Sequence, residues 1–211
     1  MVKQNTEKKF LNLIVVPGSA VKILVKRNHE TQIQLVRDMA TVESLVDEHA
    51  GDACFITINP LKPEATSKGA GSVIGRHAFL IDIDVHIARS SEERDASIAN
   101  SVSKLKKAVA KKSIIEPTMI THTGRGLQLF YVLDKTSEDT RLDAQDFQAL
   151  VHKIKKILSG AGVEIGLNTN GLHQYARIPG TTNADAKRKC KIIAASGRKY
   201  SREEFHLWCC S

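Results

Sequence analysis

The segment FLIDIDVH, residues Phe79 to His86, places two acids inside a run whose other residues are typical of a buried strand. Side chains two apart on a strand point to the same face, so Asp82 and Asp84 lie close together on one side. Two carboxylates held this close repel each other, and burial strengthens the repulsion. Because apolar residues flank the acids, a solvated pair fits poorly and a divalent cation between them fits well. Carboxylate oxygens are ligands that Mg²⁺ and Mn²⁺ prefer.

The composition is that of a globular chain with a basic surface. Its 211 residues suffice for one domain or for two lobes that share a core, and 42% of them are hydrophobic. No apolar run is long enough to cross a bilayer, the first ten residues lack the apolar segment of a secretory signal, and the four cysteines form no C-x-x-C pair. We therefore expect a reduced, cytoplasmic protein with no membrane association. The formal net charge of +8 favours a polyanionic partner such as nucleic acid.

The hydrophobic periodicity and turn residues predict strands and helices in mixed order. In chain order they are a hairpin over 20–36, a helix over 41–51, a strand over 53–60, a loop over 61–75, the acidic strand, a helix over 90–112, a hairpin around 123–126, a helix over 142–162, a strand, turn, basic loop and strand over 175–196, and a closing helix over 201–210. Capping boxes at Ser90 with Glu93 and at Ser201 with Glu204 begin two of the helices. This order predicts an α+β fold on a largely antiparallel sheet.

Two further clusters carry polar groups suited to phosphate. In Thr123-Gly-Arg-Gly-Leu-Gln128, the glycines allow a ligand to approach the backbone, and exposed N–H groups, a hydroxyl and an arginine can bind phosphate. In Arg177-Ile-Pro-Gly-Thr-Thr-Asn183, an arginine precedes a tight turn and the basic residues Lys187, Arg188 and Lys189 follow. Taken singly, the first is also typical of a plain hairpin turn and the second of a surface turn.

Together, the acidic strand, the glycine hairpin and the R-I-P-G-T-x-N turn resemble the archaeo-eukaryotic primase superfamily, and in particular the primase-polymerases of plasmids and phages. The strand ending TINP at Thr57–Pro60 belongs to the same pattern, and the resemblance spans roughly residues 50 to 195. It implies one primase-polymerase catalytic domain over 1–211, with an RRM-like sheet. An N-terminal α/β lobe would occupy about 1–75, and a metal- and nucleotide-binding lobe about 76–211.

The resemblance also implies roles for individual residues. Asp82, Asp84 and Glu164 would be catalytic and would hold two divalent ions, Mg²⁺ or Mn²⁺. The nucleotide-binding residues would be Thr123, Gly124, Arg125, Gln128, Arg177 and Lys187. The partners implied are a single-stranded DNA template, nucleoside triphosphates and a replicative helicase, in the replication of a plasmid, phage or other mobile element. The lysines of helix 90–112 and the basic loop would follow the template backbone.

Two positions depart from the family pattern. The family's phosphate-binding histidine corresponds to Gln128, which donates a hydrogen bond but carries no charge, so that Arg125 or His122 would have to compensate. The third metal ligand, an aspartate in most members, corresponds to Glu164, and its spacing to Arg177 is slightly longer than usual.

Two other readings stay open on the sequence. FLIDIDVH is also similar to the nucleophile strand of haloacid-dehalogenase-type phosphatases, although Val85-His86 stands where those enzymes have Gly-Thr and their sheet is parallel. The non-enzymatic alternative is a primase-like module for nucleic-acid binding or replication initiation, which Gln128 favours and the retained Asp82 and Asp84 disfavour.

Overall fold

The computed structural model describes residues 4–27, 30–65, 72–85, 90–165 and 172–210. Its helices are α1 (Gln4–Ile14), α2 (Met39–Glu48), α3 (Ser91–Ala110), α4 (Thr140–Leu158) and α5 (Arg202–Cys210). Its strands are β1 (Val21–Arg27), β2 (Glu30–Val36), β3 (Ala53–Thr57), β4 (Arg76–Asp84), β5 (Met119–His122), β6 (Gly126–Ser137), β7 (Glu164–Ile165), β8 (Tyr175–Arg177), β9 (Thr182–Asn183), β10 (Arg188–Lys189), β11 (Lys191–Ala195) and β12 (Lys199–Tyr200). No helix among these residues is long and apolar enough to span a bilayer.

The acidic strand, β4, lies inside a sheet ordered β11-β5-β6-β4-β7, with β12 added beside β6. Both neighbours of β4 are antiparallel to it, and the one parallel pair among the described strands is β12 with β6. This confirms the predicted α+β fold. It excludes the phosphatase reading, which needs the acidic strand in a parallel sheet.

The two faces of β4 contact different layers, which explains why its sequence is an almost continuous apolar run. Phe79, Ile81 and Ile83 pack into one core with residues of α3, α4 and α5. Ala78 and Leu80, on the other face, pack into a second core that also contains residues of α1, α2 and the β1–β3 strands. The sheet that carries the acids is therefore covered by helices on one side and by the N-terminal layer on the other.

The predicted local elements are mostly present. The Ser90 and Ser201 hydroxyls accept hydrogen bonds from the Glu93 and Glu204 amides at 3.2 and 3.0 Å, which confirms both helix starts. The hairpins β1–β2 and β5–β6 form as expected. Helix α1 is an element that the sequence patterns do not predict, and it buries Phe10 against the second core.

The N-terminal layer is a second sheet, ordered β2-β1-β3-β8. Strand β8 comes from late in the chain, where Ala176 pairs with Ile56 of β3. The R-I-P-G-T-T-N turn therefore begins at the edge of the N-terminal sheet. The division into lobes at about residue 75 stays a prediction.

Candidate active site

Asp82 and Asp84 lie at the end of β4, on the same face as Ala78 and Leu80. Beyond Leu80 this face leaves the core and borders a cleft of about 220 Å³, and both acids are half-buried there. The cleft is lined by Phe55, Asp82, Asp84, Val85, Thr123, Arg125, Gln128, Arg177, Asn183 and Asp185. The structure thus brings the three sequence clusters together around one opening.

Glu164 is placed beside the acidic pair by β7. It is the antiparallel partner of Asp84, and residues directly opposite each other in a sheet share a face, so all three acids project to the same side. Glu164 is exposed and is not one of the residues lining the cleft.

A different group of three ligand-type side chains has the tighter spacing. Among the described residues, the ligand atoms of Asp146, His206 and Cys210 lie within 4.8 Å of one another, whereas those of the predicted acids do not all do so. This second group lies between α4 and α5, where Arg202 already forms an ion pair with Asp146 at 2.7 Å. A bound cation there would have to compete with the arginine.

Gln128, which the sequence resemblance places at the histidine of the primase pattern, faces Asp82 across the β4–β6 pair. It is buried, and its Oε1 accepts a hydrogen bond from the backbone amide of Arg177 at 3.1 Å. Because Arg177 belongs to β8, this bond joins the two sheets at the floor of the cleft. Gln128 therefore positions Arg177 as well as lining the cleft.

The turn from Thr123 to Gly126 is held by its own hydrogen bonds. The Thr123 hydroxyl accepts from the amide of Gly126 at 3.1 Å and from that of Arg125 at 3.5 Å, and the Gly124 amide donates to His122 Nδ1 at 3.1 Å. Gly124 has a φ of +94°, a conformation that favours glycine. The backbone N–H groups that were expected to bind a phosphate therefore already donate hydrogen bonds within the hairpin. The Arg125 guanidinium and the Thr123 hydroxyl proton remain to meet a ligand.

The R-I-P-G-T-T-N turn and the segment after it contact this hairpin through a hydrogen bond and an ion pair. Asn183 is buried and donates from Nδ2 to the Thr123 carbonyl at 3.0 Å, while Arg125 forms an ion pair with Asp185 at 3.3 Å. The side chains that the two motifs contribute to the cleft are therefore held in one arrangement. Lys187, which was predicted to bind nucleotide, is exposed and is not among the residues lining the cleft.

Arg177 is the most enclosed cation of the cleft. Its guanidinium lies 4.4 Å from the centre of the Phe55 ring and donates to the Thr182 carbonyl at 3.4 Å. Burial lowers the pKa of the Arg177 guanidinium, and the negative charge of Asp82 is one of the influences that oppose the shift. An arginine nonetheless remains charged at neutral pH. The Phe55 ring thus contacts the guanidinium, and both residues line the cleft.

Three lining residues of the cleft were not predicted individually from the sequence: Phe55, Asn183 and Asp185. Phe55 lies in a strand whose other residues are buried, and it is only half-buried itself. The sequence gave no signal for it, because the direction in which a lone strand residue faces depends on long-range pairing. Asp185 comes two residues after the turn and gave no signal beyond its nearness to Asn183.

The T-I-N-P segment contributes by positioning β4. Asn59 is buried, and its Oδ1 accepts hydrogen bonds from the backbone amides of His77 at 2.8 Å and Ala78 at 3.0 Å. These amides lie where the β4–β6 register shifts between Arg76 and Ala78. Asn59 therefore satisfies the backbone groups at this irregularity, and so fixes the strand that carries the acids.

His122, one candidate to compensate for the missing histidine, faces away from the cleft. Its neighbour Thr121 is the partner of Gln128, so His122 lies on the opposite face of the sheet. There it lines a separate depression of about 570 Å³ together with Asp95 and Arg188. Burial lowers the pKa of His122, which disfavours its charged form. Of the two candidates, only Arg125 reaches the cleft.

Strand β4 ends in two acids between antiparallel neighbours, with a glycine hairpin and an arginine turn at the cleft, and the fold is the one that solved primase-polymerase domains have. The comparisons with solved structures agree. The chain is similar to the AEP domain of the cyanophage S-2L primase-polymerase, with a TM-score of 0.67 and 11% identity over 98% of this chain and 97% of that one.

Two further solved structures share the fold. The catalytic domain of primase RepB′ in complex with initiator DNA has a TM-score of 0.58 and 15% identity, over 98% of this chain and 93% of that one. The polymerase domain of Mycobacterium tuberculosis ligase D in complex with DNA has a TM-score of 0.52 and 12% identity, over 97% and 87%. No family model and no curated protein matches the sequence. At these identities the likeness is one of fold.

Proposed function

We propose that the chain catalyses metal-dependent nucleotidyl transfer, making primers or DNA on a single-stranded DNA template. The observation that carries this proposal is the pair Asp82 and Asp84 on one face at the cleft that Arg177 also lines. Support for the class of substrate comes from the named primases and polymerases of the same fold, two of which are described in complex with DNA.

The donor set of the cleft suits divalent cations. The three acids on one face offer only oxygen ligands, which fits Mg²⁺ or Mn²⁺ rather than a softer metal. Such ions, when bound, neutralise a triphosphate and its leaving group and make a hydroxyl more nucleophilic. We assign Asp82 and Asp84 as ligands from within the cleft, and Glu164 as the ligand from its edge.

The charge balance of the cleft also favours the binding of cations together with a nucleotide. Its described lining carries three carboxylates, on Asp82, Asp84 and Asp185, and two guanidinium groups, on Arg125 and Arg177. Without added positive charge, this excess of acids would repel a triphosphate. The cleft therefore suits a nucleotide only together with cations, which is the expected behaviour of a site for phosphoryl transfer.

The remaining residues would orient the nucleotide. Arg177 and Arg125 would bind phosphate oxygens, and the Thr123 hydroxyl would donate a hydrogen bond to another phosphate oxygen. Gln128 holds the backbone of Arg177 and faces Asp82. Gly124 allows the hairpin to pack close to Asn183, and Lys187 would approach from the loop outside the described cleft. Positioning of this kind is the main task of a protein in nucleotidyl transfer.

The test is a synthesis assay on primed and unprimed single-stranded DNA with labelled ribo- or deoxynucleotides and Mg²⁺ or Mn²⁺. Asp84→Asn preserves size and removes one charge, so product should fall by on the order of 100-fold or more while the circular dichroism spectrum is unchanged. Asp134→Asn, an exposed acid on β6 outside the cleft, is the matched control. Equal activity in the two variants would refute the proposal.

The second candidate is a primase-like module that binds nucleic acid or initiates replication without catalysis. Gln128 favours it, because an uncharged amide that is bound to the backbone of Arg177 replaces a phosphate-binding histidine. The same assay separates the two. DNA binding with no product under any nucleotide and metal condition would support the module. A replicative helicase as partner and a mobile-element context stay proposals.

A further inference from the structure

The helical layer carries a dense set of lysines on the side of the sheet away from the cleft. Segments 101–115 and 147–163 contain no Asp or Glu. Their lysines are Lys104, Lys106, Lys107, Lys111, Lys112, Lys153, Lys155 and Lys156. Helices α3 and α4 pack on the face of β4 that holds Phe79 and Ile81, opposite the face that holds the acids. The sequence suggested that the α3 lysines follow a template at the cleft. The structure places α3 on the opposite side of the sheet instead.

Six of these lysines are exposed, and none of the six pairs with an acid among the described residues; they are Lys106, Lys107, Lys111, Lys112, Lys155 and Lys156. Lysines in the last turn of a helix are favoured by the helix dipole, which accounts for Lys107, Lys155 and Lys156. It does not account for the other three. We call the six residues the α3–α4 lysine face.

A concave pocket of about 500 Å³ adjoins this face, lined by Lys112, Ser113, Lys153, Lys156, Ile157 and Trp208. Lys153 donates to the Trp208 carbonyl at 3.0 Å, and its ammonium lies 4.3 Å from the centre of the Trp208 ring. The pocket thus combines ammonium groups with an aromatic and an aliphatic wall. Its volume falls in the range of roughly 300–1,000 Å³ typical of small-ligand sites.

We propose that the α3–α4 lysine face binds the backbone of a single-stranded nucleic acid, with one unpaired base in the pocket at Trp208. Lysines on long flexible stems suit a repeating polyanion, and the aromatic and aliphatic wall at Trp208 beside them suits a base of that polyanion. The pocket wall at Trp208 can contact one exposed base, which favours a single strand, because the bases of a duplex are stacked in its interior. The site is separate from the cleft, and it does not depend on catalysis there.

The experiment uses the full chain and its one tryptophan. Because Trp208 is the only tryptophan in the sequence, a change in intrinsic fluorescence reports on this pocket and not on the cleft. The probe is an unlabelled oligothymidylate, and the anisotropy of a dye-labelled copy reports total binding in a parallel titration. We expect saturable quenching of Trp208 fluorescence that weakens with salt. Anisotropy that rises while the Trp208 signal stays constant would place all binding elsewhere and overturn the proposal.

Two variants with the same charge change sharpen the test. Lys111→Gln/Lys112→Gln/Lys156→Gln should weaken the oligonucleotide binding seen through Trp208 roughly tenfold or more. It should also reduce the salt slope by about 2, since each phosphate contact on a single strand contributes about 0.7. The control Lys9→Gln/Lys62→Gln/Lys135→Gln changes exposed lysines elsewhere and should bind as the unmodified chain does. Equal loss in both variants would mean that only net charge matters, and would overturn the proposal.

Two further arms separate this site from its alternatives. The Asp84→Asn chain should keep the Trp208 response, so that failure of the proposed synthesis and failure of this site are observed independently. Polyglutamate should bind much more weakly than the oligonucleotide. Polyglutamate that quenches Trp208 at the same concentration would identify the face as one for acidic protein segments, and would refute a nucleic-acid site.

Discussion

Replacing Gly126 with alanine should destabilise the sheet beside the acidic pair. A Cβ built at this position lies 2.0 Å from the Ile83 carbonyl oxygen, 3.0 Å from its carbon and 3.2 Å from the Asp84 Cα. All three atoms belong to the backbone, so no side-chain rotation relieves the overlap. Gly126 is the antiparallel partner of Asp84, so the strands have to separate where the carboxylates are held.

The size of the effect follows from two opposing contributions. Overpacking of this kind typically costs about 1–3 kcal/mol, and the upper part of that range applies because the overlap involves backbone. Replacing glycine with alanine also reduces the entropy of the unfolded chain, which offsets about 0.4–1 kcal/mol. A net loss of about 2 kcal/mol corresponds to a melting temperature lower by roughly 4–8 °C for a chain of this length.

The matched control is Gly51→Ala, because a Cβ there meets nothing within 4 Å. Urea and thermal unfolding of both variants, followed by circular dichroism, give the comparison. Gly51→Ala should match the unmodified chain within about 0.5 kcal/mol or be slightly more stable. At a temperature where both variants are folded, Gly126→Ala should also lose synthesis activity. Equal stability of the two variants would refute the argument from close packing.

Three other outcomes are expected. Asn183→Ala removes the bond to the Thr123 carbonyl and should lower the free energy of unfolding by about 1–3 kcal/mol in urea titrations. Cys210 is exposed whereas burial raises the pKa of Cys190 to about 12, so a thiol reagent at pH 8 should label one cysteine rapidly, and Cys210→Ser should abolish that phase. Burial lowers the pKa of His77, so the unfolded chain binds the proton more readily. The free energy of unfolding should therefore fall as pH drops below about 6.5, and His77→Gln should remove part of that slope.

Local signals were sufficient for much of the fold. The apolar run of β4, the capping serines at Ser90 and Ser201 and the glycines at the β5–β6 turn each act within a few residues, so their structures follow from nearby sequence. The antiparallel sheet follows from the hairpins. Helix α1 was not predicted because, among its described side chains, the buried ones lie near its end at Phe10, Leu11 and Ile14, which leaves too short a periodic pattern.

Strand alternation and the sequence motifs predicted which residues belong to the site, but not how distant strands bring them together. Alternation gives the shared face of Asp82 and Asp84, but not the partner of Asp84 on β7. The contact between Arg177 and the Phe55 ring requires β8 to pair with β3, and these strands are separated by more than a hundred residues of sequence. Periodicity carries no information about such a pairing. For the same reason, the sequence did not reveal that His122 faces away from the cleft.

Among the described residues that line the cleft, positive charge comes from Arg125 and Arg177. Both arginines depend on the R-I-P-G-T-T-N turn, because Arg177 is its first residue and Arg125 pairs with Asp185, two residues after its end. Gln128 then needs no charge, since its carbonyl oxygen holds the Arg177 backbone in place. Under the proposed function, phosphate binding would therefore depend more on how this turn is held against the two sheets than on the identity of residue 128. A glutamine there is compatible with a working nucleotide site.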